Sequence, residues 1–345
     1  MTDWSQEAME RRLVRYADLI PCKNAFVDTR TPGSDQKENF TIIGPGVSEN
    51  PNQHVHIPEP HGFNIGAARQ PGGCLNSQHS HETAEVFVVH TGQWRFVFGH
   101  DRQDGYMDAD PGDVVSVPTR MFRGFEKRDE GVGFLWVALG GDDPGKVTWA
   151  PDVFRQAEKY GLRLLKGGRL VDTTIGEQLP PDAELEQPPS PEQLAALATP
   201  PLNELTKCAL RFSDLRANPA SPIANEGVDE CAIINVTETD DGFSAGPITG
   251  DWPHGFAMRA LRMVSGASVP DHARAESEVI FVHQGTLEVT WAGGALVLGA
   301  GDTLTIPEGL VHGLRNAASG PLVAYVVRGS ENPHGPTFAA QEAAE

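Results

Sequence analysis

The sequence predicts an all-β protein made of two similar barrels with a few peripheral helices. Three observations lead there. A 33-residue stretch recurs without a gap 193 positions later, the apolar runs are short and rich in Val, Ile, Leu and Phe, and 37 Gly and 27 Pro punctuate a chain of 345 residues. Short apolar runs bounded by turn residues read as strands rather than long helices. A chain of this length has room for two domains, each with its own core.

The repeat aligns Pro60–Gly92 with Pro253–Gly285, and 13 of its 33 positions are identical. The matches include His61/His254, Arg69/Arg262, His79/His272, Glu85/Glu278, His90/His283 and Gly92/Gly285. Further on, GDVVSVP from Gly112 matches GDTLTIP from Gly301 at an offset of 189. The four-residue change in offset predicts a longer hairpin in the first copy, since loops absorb such differences.

Taken in order, residues 1–57 form an N-terminal helix, expected over residues 4–17, and a Pro/Gly-punctuated arm. Residues 58–148 form the first barrel and residues 228–330 the second. Between them, residues 149–227 hold a helix from Pro151, with Pro near its N-terminus, and an acidic, Pro-rich connector with a short helix at 190–198. Residues 331–345 are a small, polar tail.

With 27 Lys and Arg against 47 Asp and Glu, the formal charge is −20. Such a surface repels phosphate backbones and anionic lipid, so neither nucleic acid nor membrane is an expected partner. No apolar run approaches the roughly 20 residues that span a bilayer. The start, Met-Thr-Asp-Trp-Ser-Gln-Glu, lacks the basic and apolar blocks of a signal peptide. The four cysteines, Cys22, Cys74, Cys208 and Cys231, have neither metal-type nor redox-type spacing. A cytoplasmic enzyme with reduced thiols is expected, assembled as a homo-oligomer.

The chemistry concentrates in the repeat. The first copy reads His79-Ser-His81-Glu-Thr-Ala-Glu85. Alternate residues of an extended strand share a face, so 79, 81 and 85 can point inward together. Two imidazoles and a carboxylate at one point suit a divalent transition ion with open coordination positions. His90 and His283 have the opposite parity and are expected to face outward, at the surface or an interface. His61 and His254 could act as acid or base, but fit packing at a strand start better. Cys74 has no neighbour that would lower its pKa, so it is not a candidate nucleophile.

The His-x-His, Glu and Gly spacing resembles the first motif of the cupin superfamily, G-x5-H-x-H-x(3,4)-E-x6-G. Gly301, Pro307, Gly309, His312 and Asn316 match all of the second motif, G-x5-P-x-G-x2-H-x3-N. The chain is identified as a two-domain (bicupin) member, with each domain a double-stranded β-helix, or jelly-roll, barrel. The resemblance implies ligands His79, His81 and Glu85 in the first barrel and His272, Glu278 and His312 in the second. It also marks departures: Arg123 stands in the slot of the last histidine ligand, Arg120 in that of a motif glycine, and Arg274 in that of the second barrel's middle histidine. Guanidinium has no lone pair to give a metal.

Two readings of these arginines stay open. In one, each trio holds an ion and Arg123, Arg120 and Arg274 bind an anionic substrate, with Arg69 and Arg262 as further candidates. In the other, Arg123 pairs with Glu85 and Arg274 with Glu278 in metal-free sites. The first barrel is favoured as the metal site because its His-x-His pair is intact.

The layout resembles gentisate and 1-hydroxy-2-naphthoate dioxygenases. This implies Fe(II), with Mn, Ni or Zn as other candidates, and ring cleavage of a small hydroxy-aromatic carboxylate with O2, Arg123 and Arg120 holding the carboxylate. The alternatives are a metal-dependent lyase, isomerase or decarboxylase acting on a small carboxylate or sugar acid, and a non-catalytic ligand-binding bicupin.

Overall fold

The computed structural model describes residues 4–235, 237–248 and 252–339; the end of the expected tail, 340–345, lies outside them. Strands dominate, and no helix among the described residues is long and apolar enough to cross a membrane. The chain divides into two compact units: Ile20–Phe212, and Ser213 onward together with the N-terminal residues up to Leu19.

In the first unit, the larger sheet has the spatial order Ala209–Leu210, Val114–Val117, Glu85–Thr91, Val132–Gly140, Phe63–Pro71, Glu38–Ile43 and Val55–Ile57. The facing sheet runs Thr148–Trp149, Leu75–Ser80, Arg123–Lys127, Trp94–Phe98 and Tyr106–Ala109. Period-2 alternation sends Phe87, Val89, Leu135 and Val137 inward, where they meet Phe96, Phe98 and Phe125 of the other sheet in one buried cluster. Burying each such side chain stabilises the barrel by about 1.5–3 kcal/mol. The strands at 38–43 and 55–57 come from the segment read from sequence as an arm.

The second unit repeats the plan. Its larger sheet runs Leu13–Val14, Thr303–Ile306, Glu278–Gln284, Leu322–Arg328, Ala257–Met263 and Val228–Ile234. The other runs Gly294–Leu298, Leu287–Trp291, His312–Asn316, Ser268–Ala273 and Thr337–Phe338. The registers match across the repeat. Glu85 lies opposite Val117 and Leu139, and Glu278 opposite Ile306 and Arg328. His79 pairs with Arg123, and His272 with His312. The hairpin after Phe98 is longer than the tight turn after Trp291, as the offsets require.

Three helices differ from expectation or sharpen it. The first spans only Gln6–Glu10, capped by Ser5, because Leu13 and Val14 pair instead with Leu304 and Thr303. Strand pairing there overrides the helical period of the sequence. The helix from Pro151 ends at Lys159, and the connector helix spans Pro191–Ala196 behind a Ser190/Gln193 capping box.

The edge strand at 13–14 exposes a further piece of the repeat, LVRYADL from Leu13 against ALRFSDL from Ala209. Arg15 and the Tyr16 amide donate to Asp302 at 2.8 and 2.9 Å; Arg211 and the Phe212 amide donate to Asp113 at 2.6 and 2.9 Å. Each aromatic ring covers a glycine with positive φ, Gly301 or Gly112, where an added Cβ would lie within 2.8 or 2.6 Å of ring carbons. Each segment therefore completes a sheet of its own unit with a strand far away along the chain. Replacing Asp113 by Ala removes both anchors of the 209–212 strand. It should lower stability by about 1–2 kcal/mol and speed amide exchange at Ala209–Phe212, while exchange at Leu13–Tyr16 stays as in the parent.

Candidate metal centre

In the first barrel the strand Leu75–Ser80 delivers His79, His81 follows one residue past its end, and a short turn brings Glu85 to the start of the next strand. The trio therefore spans two strands and a turn rather than one continuous strand. His79 donates Nδ1–H to the Ser77 carbonyl at 2.7 Å, which leaves its Nε2 lone pair for a ligand. His81 Nε2 lies 3.6 Å from Glu85 Oε1. The donor atoms of His79, His81 and Glu85 all lie within 4.8 Å of one another, and all three residues are buried. Burial first, and the Arg123 charge second, hold both imidazoles well below their usual pKa, so they are neutral and able to ligate. Neutral imidazoles with orphaned or oriented nitrogens and a carboxylate oxygen fit a divalent ion.

Arg123 opens the strand that pairs with His79, and its side chain is 1% exposed. Its Nε, at 3.1 Å, and its Nη2 both donate to Glu85 Oε2, leaving Oε1 on the histidine side. The cavity bounded by His79, His81 and Glu85 also meets Asn39, Gly66, Leu139 and Trp149; Arg123 is not among its lining residues, and the buried Arg123 Nη1 has no hydrogen-bond partner among the described residues. Its volume is ≈ 70 Å³.

Three expected anion binders are elsewhere. Arg120 is exposed in a turn with φ 59°, a left-handed backbone that aims its side chain at solvent; its amide donates to the His81 carbonyl at 2.8 Å. Arg69 and Arg262 have outward parity, because their neighbours Ala68 and Leu261 belong to the cores. They pair with Glu38 at 2.6 Å and Asp229 at 2.8 Å. His61 and His254 are buried at strand starts away from the cavity wall, and His90 and His283 stack on Phe134 and Tyr325 with centroids 6.0 and 5.7 Å apart.

The second barrel has been filled. His272 and His312 donate Nδ1–H to the carbonyls of Pro270 and Leu310, both at 2.9 Å, and burial lowers both pKa values, that of His272 to about 4. His312 Nε2 stands 3.9 Å from Glu278 Oε1, and the trio does not gather as closely as that of the first barrel. Glu278 Oε2 is held by Arg328 at 2.9 Å, with Arg274 at 3.3 Å. Arg328 also binds Glu230 at 2.6 Å and Asp241 at 3.1 Å, and Arg259 lies 3.3 Å from Asp241. At the matching register positions the first barrel has Leu139 for Arg328, Gly66 for Arg259 and Asn39 for Glu230. Sequence reasoning missed this network, although Arg259 opposite Gly66 was visible within the repeat itself.

The fold and these sites define a class: two barrels of the cupin superfamily fold in one chain, a bicupin. Residues 261–328 match the family model described as the Cupin domain. Over 85 residues the chain is 33% identical to germin-like protein subfamily 3 member 3 of Arabidopsis thaliana, a match covering 23% of this chain and 40% of that one. The chain thus spans less than half the length of that curated relative. Oxalate decarboxylase from Bacillus subtilis superposes over 95% of this chain and 78% of its own with a TM-score of 0.56 at 15% identity. Oxalate decarboxylase from Lactobacillus farciminis, solved as a formate complex, does so over 94% and 88% with a TM-score of 0.54, also at 15% identity.

Replacing Arg328 by Leu, the residue at the matching position of the first barrel, would strand Glu230 and Glu278 in a dry interior. A loss of about 3–5 kcal/mol in denaturant unfolding is expected. The Arg328 and Arg274 charges hold Glu278 at about 2 in the fold, against burial and below its ordinary 4.5. Its contribution is therefore present above pH 4.5 and is lost as pH falls toward 2. Stability measured through that window should fall less steeply in Glu278→Gln than in the parent.

Proposed function

We propose that this bicupin is a divalent-metal-dependent enzyme whose first barrel carries the chemistry, acting on a small carboxylate as a lyase of the decarboxylase type. The convergence of His79, His81 and Glu85 on one small cavity carries the reading. A bound divalent ion would supply Lewis-acid binding and polarisation of carboxylate oxygens. The residues around it do the rest. Ser77 fixes the His79 ring, Arg123 fixes Glu85, and the aromatic wall of Phe87, Phe125 and Trp149 limits water. Burial raises the pKa of the Cys22 thiol at the cavity wall, so it keeps its proton, beside the hydroxyls of Thr41 and Ser48.

The size of the cavity favours a compact substrate over the hydroxy-aromatic acid of the Fe(II) dioxygenase reading, because ≈ 70 Å³ takes a two-carbon acid more readily than a substituted ring. The likeness to solved oxalate decarboxylases supports the same choice at the level of fold. The donor set takes Fe(II), Mn(II) or Zn(II) alike. Two neutral or cancelled barrels' worth of histidine ligands do not imply two ions: the Glu278 network supports a structural role for the second barrel. The four free cysteines suit a reducing cytoplasm.

Protein purified without chelator should contain about one divalent ion per chain, lost in His81→Ala and kept in His272→Ala. With oxalate as the first substrate tried, CO2 release without O2 uptake is expected, and His81→Ala should reduce it at least about a hundredfold. O2 consumption with a hydroxybenzoate and none of the former activity would return the assignment to a ring-cleaving dioxygenase.

A further inference from the structure

We infer that Arg123 is a positioning residue that sets the charge of the anion accepted by the first barrel, acting through Glu85 without touching the ligand. The inference rests on the reading of the first barrel as a divalent-metal site. Three observations carry it. Both guanidinium contacts go to a single oxygen, Glu85 Oε2, and the other oxygen remains 3.6 Å from His81 Nε2. The Arg123 side chain is 1% exposed and lies outside the cavity wall, and among the described residues no Lys or Arg lines that wall. The second barrel reaches the same division from a different sequence position: Arg328 takes Glu278 Oε2 at 2.9 Å, while Oε1 faces His312 at 3.9 Å.

The consequence follows from counting charge. Two neutral imidazoles and one carboxylate around a divalent ion leave a net charge of one positive unit. Arg123 cancels the carboxylate, so the same centre presents two. A cation this close to a dication is favourable only when an anion offsets both, and in a dry site the interaction falls slowly with distance. The cavity is therefore matched to a compact dianion, such as a two-carbon dicarboxylate, in preference to a monocarboxylate of equal size. With Oε2 held by Arg123, Glu85 would have Oε1 left for a bound ion.

The test uses the full chain stripped of metal, with Arg123→Leu, Arg123→Met and Arg123→Lys. Each is titrated calorimetrically with Mn(II), and the Mn(II)-loaded forms are then titrated with oxalate and with acetate. Removing the like charge should tighten Mn(II) binding by about tenfold in the Leu and Met variants, and the preference for oxalate over acetate should fall by about tenfold or more. Arg123→Lys, which retains the charge, should keep that preference within about threefold of the parent.

Weaker Mn(II) binding in all three variants with an unchanged oxalate-to-acetate ratio would make Arg123 purely structural and overturn the inference. Equal loss of both anions, with Lys as poor as Met, would indicate direct contact and overturn it as well. A parent that binds no Mn(II) would remove the metal reading and the inference with it, whereas a metal-binding parent with an unchanged ratio in its variants removes the inference alone. If Arg123→Met does not fold, the comparison of Leu with Lys decides.

Discussion

In each barrel a glutamate enters the interior at the start of a strand, and the interior tolerates it only because a guanidinium holds one of its oxygens. An isolated carboxylate in such a place would carry a desolvation penalty of several kcal/mol. Glu85 meets Arg123, and Glu278 meets Arg328 and Arg274. That single requirement fixes which oxygen remains free, which way it faces, and so how near the histidines a third donor atom can come. The strand registers serve the same end, since Glu85 sits across from Leu139 and Glu278 across from Arg328.

From that shared constraint the two barrels diverge. The second satisfies its glutamate with a network of Glu230, Asp241, Arg259 and Arg328, and its interior is occupied by charged side chains that neutralise one another. The first uses one arginine from the opposite sheet and keeps Gly66, Leu139 and Asn39 where the network would stand. A Gly in place of an Arg removes a whole long side chain from the inner face of a strand, and the space becomes a cavity beside the histidines. One scaffold thus gives an open site and a closed one through a handful of inward positions.

Much of the architecture could be read from the chain. The gapless match of Pro60–Gly92 with Pro253–Gly285 is a statement about register, and strand register is what the barrels are made of. The inward facing of His79, His81 and Glu85 followed from spacing as well, although a turn rather than one straight strand brings them together. Arg69 and Arg262 were misread because their sequence neighbours gave no absolute parity; only the burial of Ala68 and Leu261 in the cores shows which face is inner. Arg120 was misread because its left-handed backbone turns it outward, a property of the turn and not of the residue.

The sequence by itself determined the repeat, the ligand-type residues and their places on the strands, because these depend on local period and spacing. The pairing of Arg123 with Glu85 and of Arg274 with Glu278 was one of the two readings open in the sequence, whereas the tertiary structure alone brought Arg328 to Glu278 and Glu230. Arg328 lies 50 residues from Glu278 in sequence and 98 from Glu230, and Arg123 lies 38 from Glu85. It also decided that Leu13–Val14 and Ala209–Leu210 would each edge a sheet far along the chain. Long-range pairing of buried charges and edge strands has no local signature, since its energy depends on desolvation and geometry that exist only once the sheets have closed.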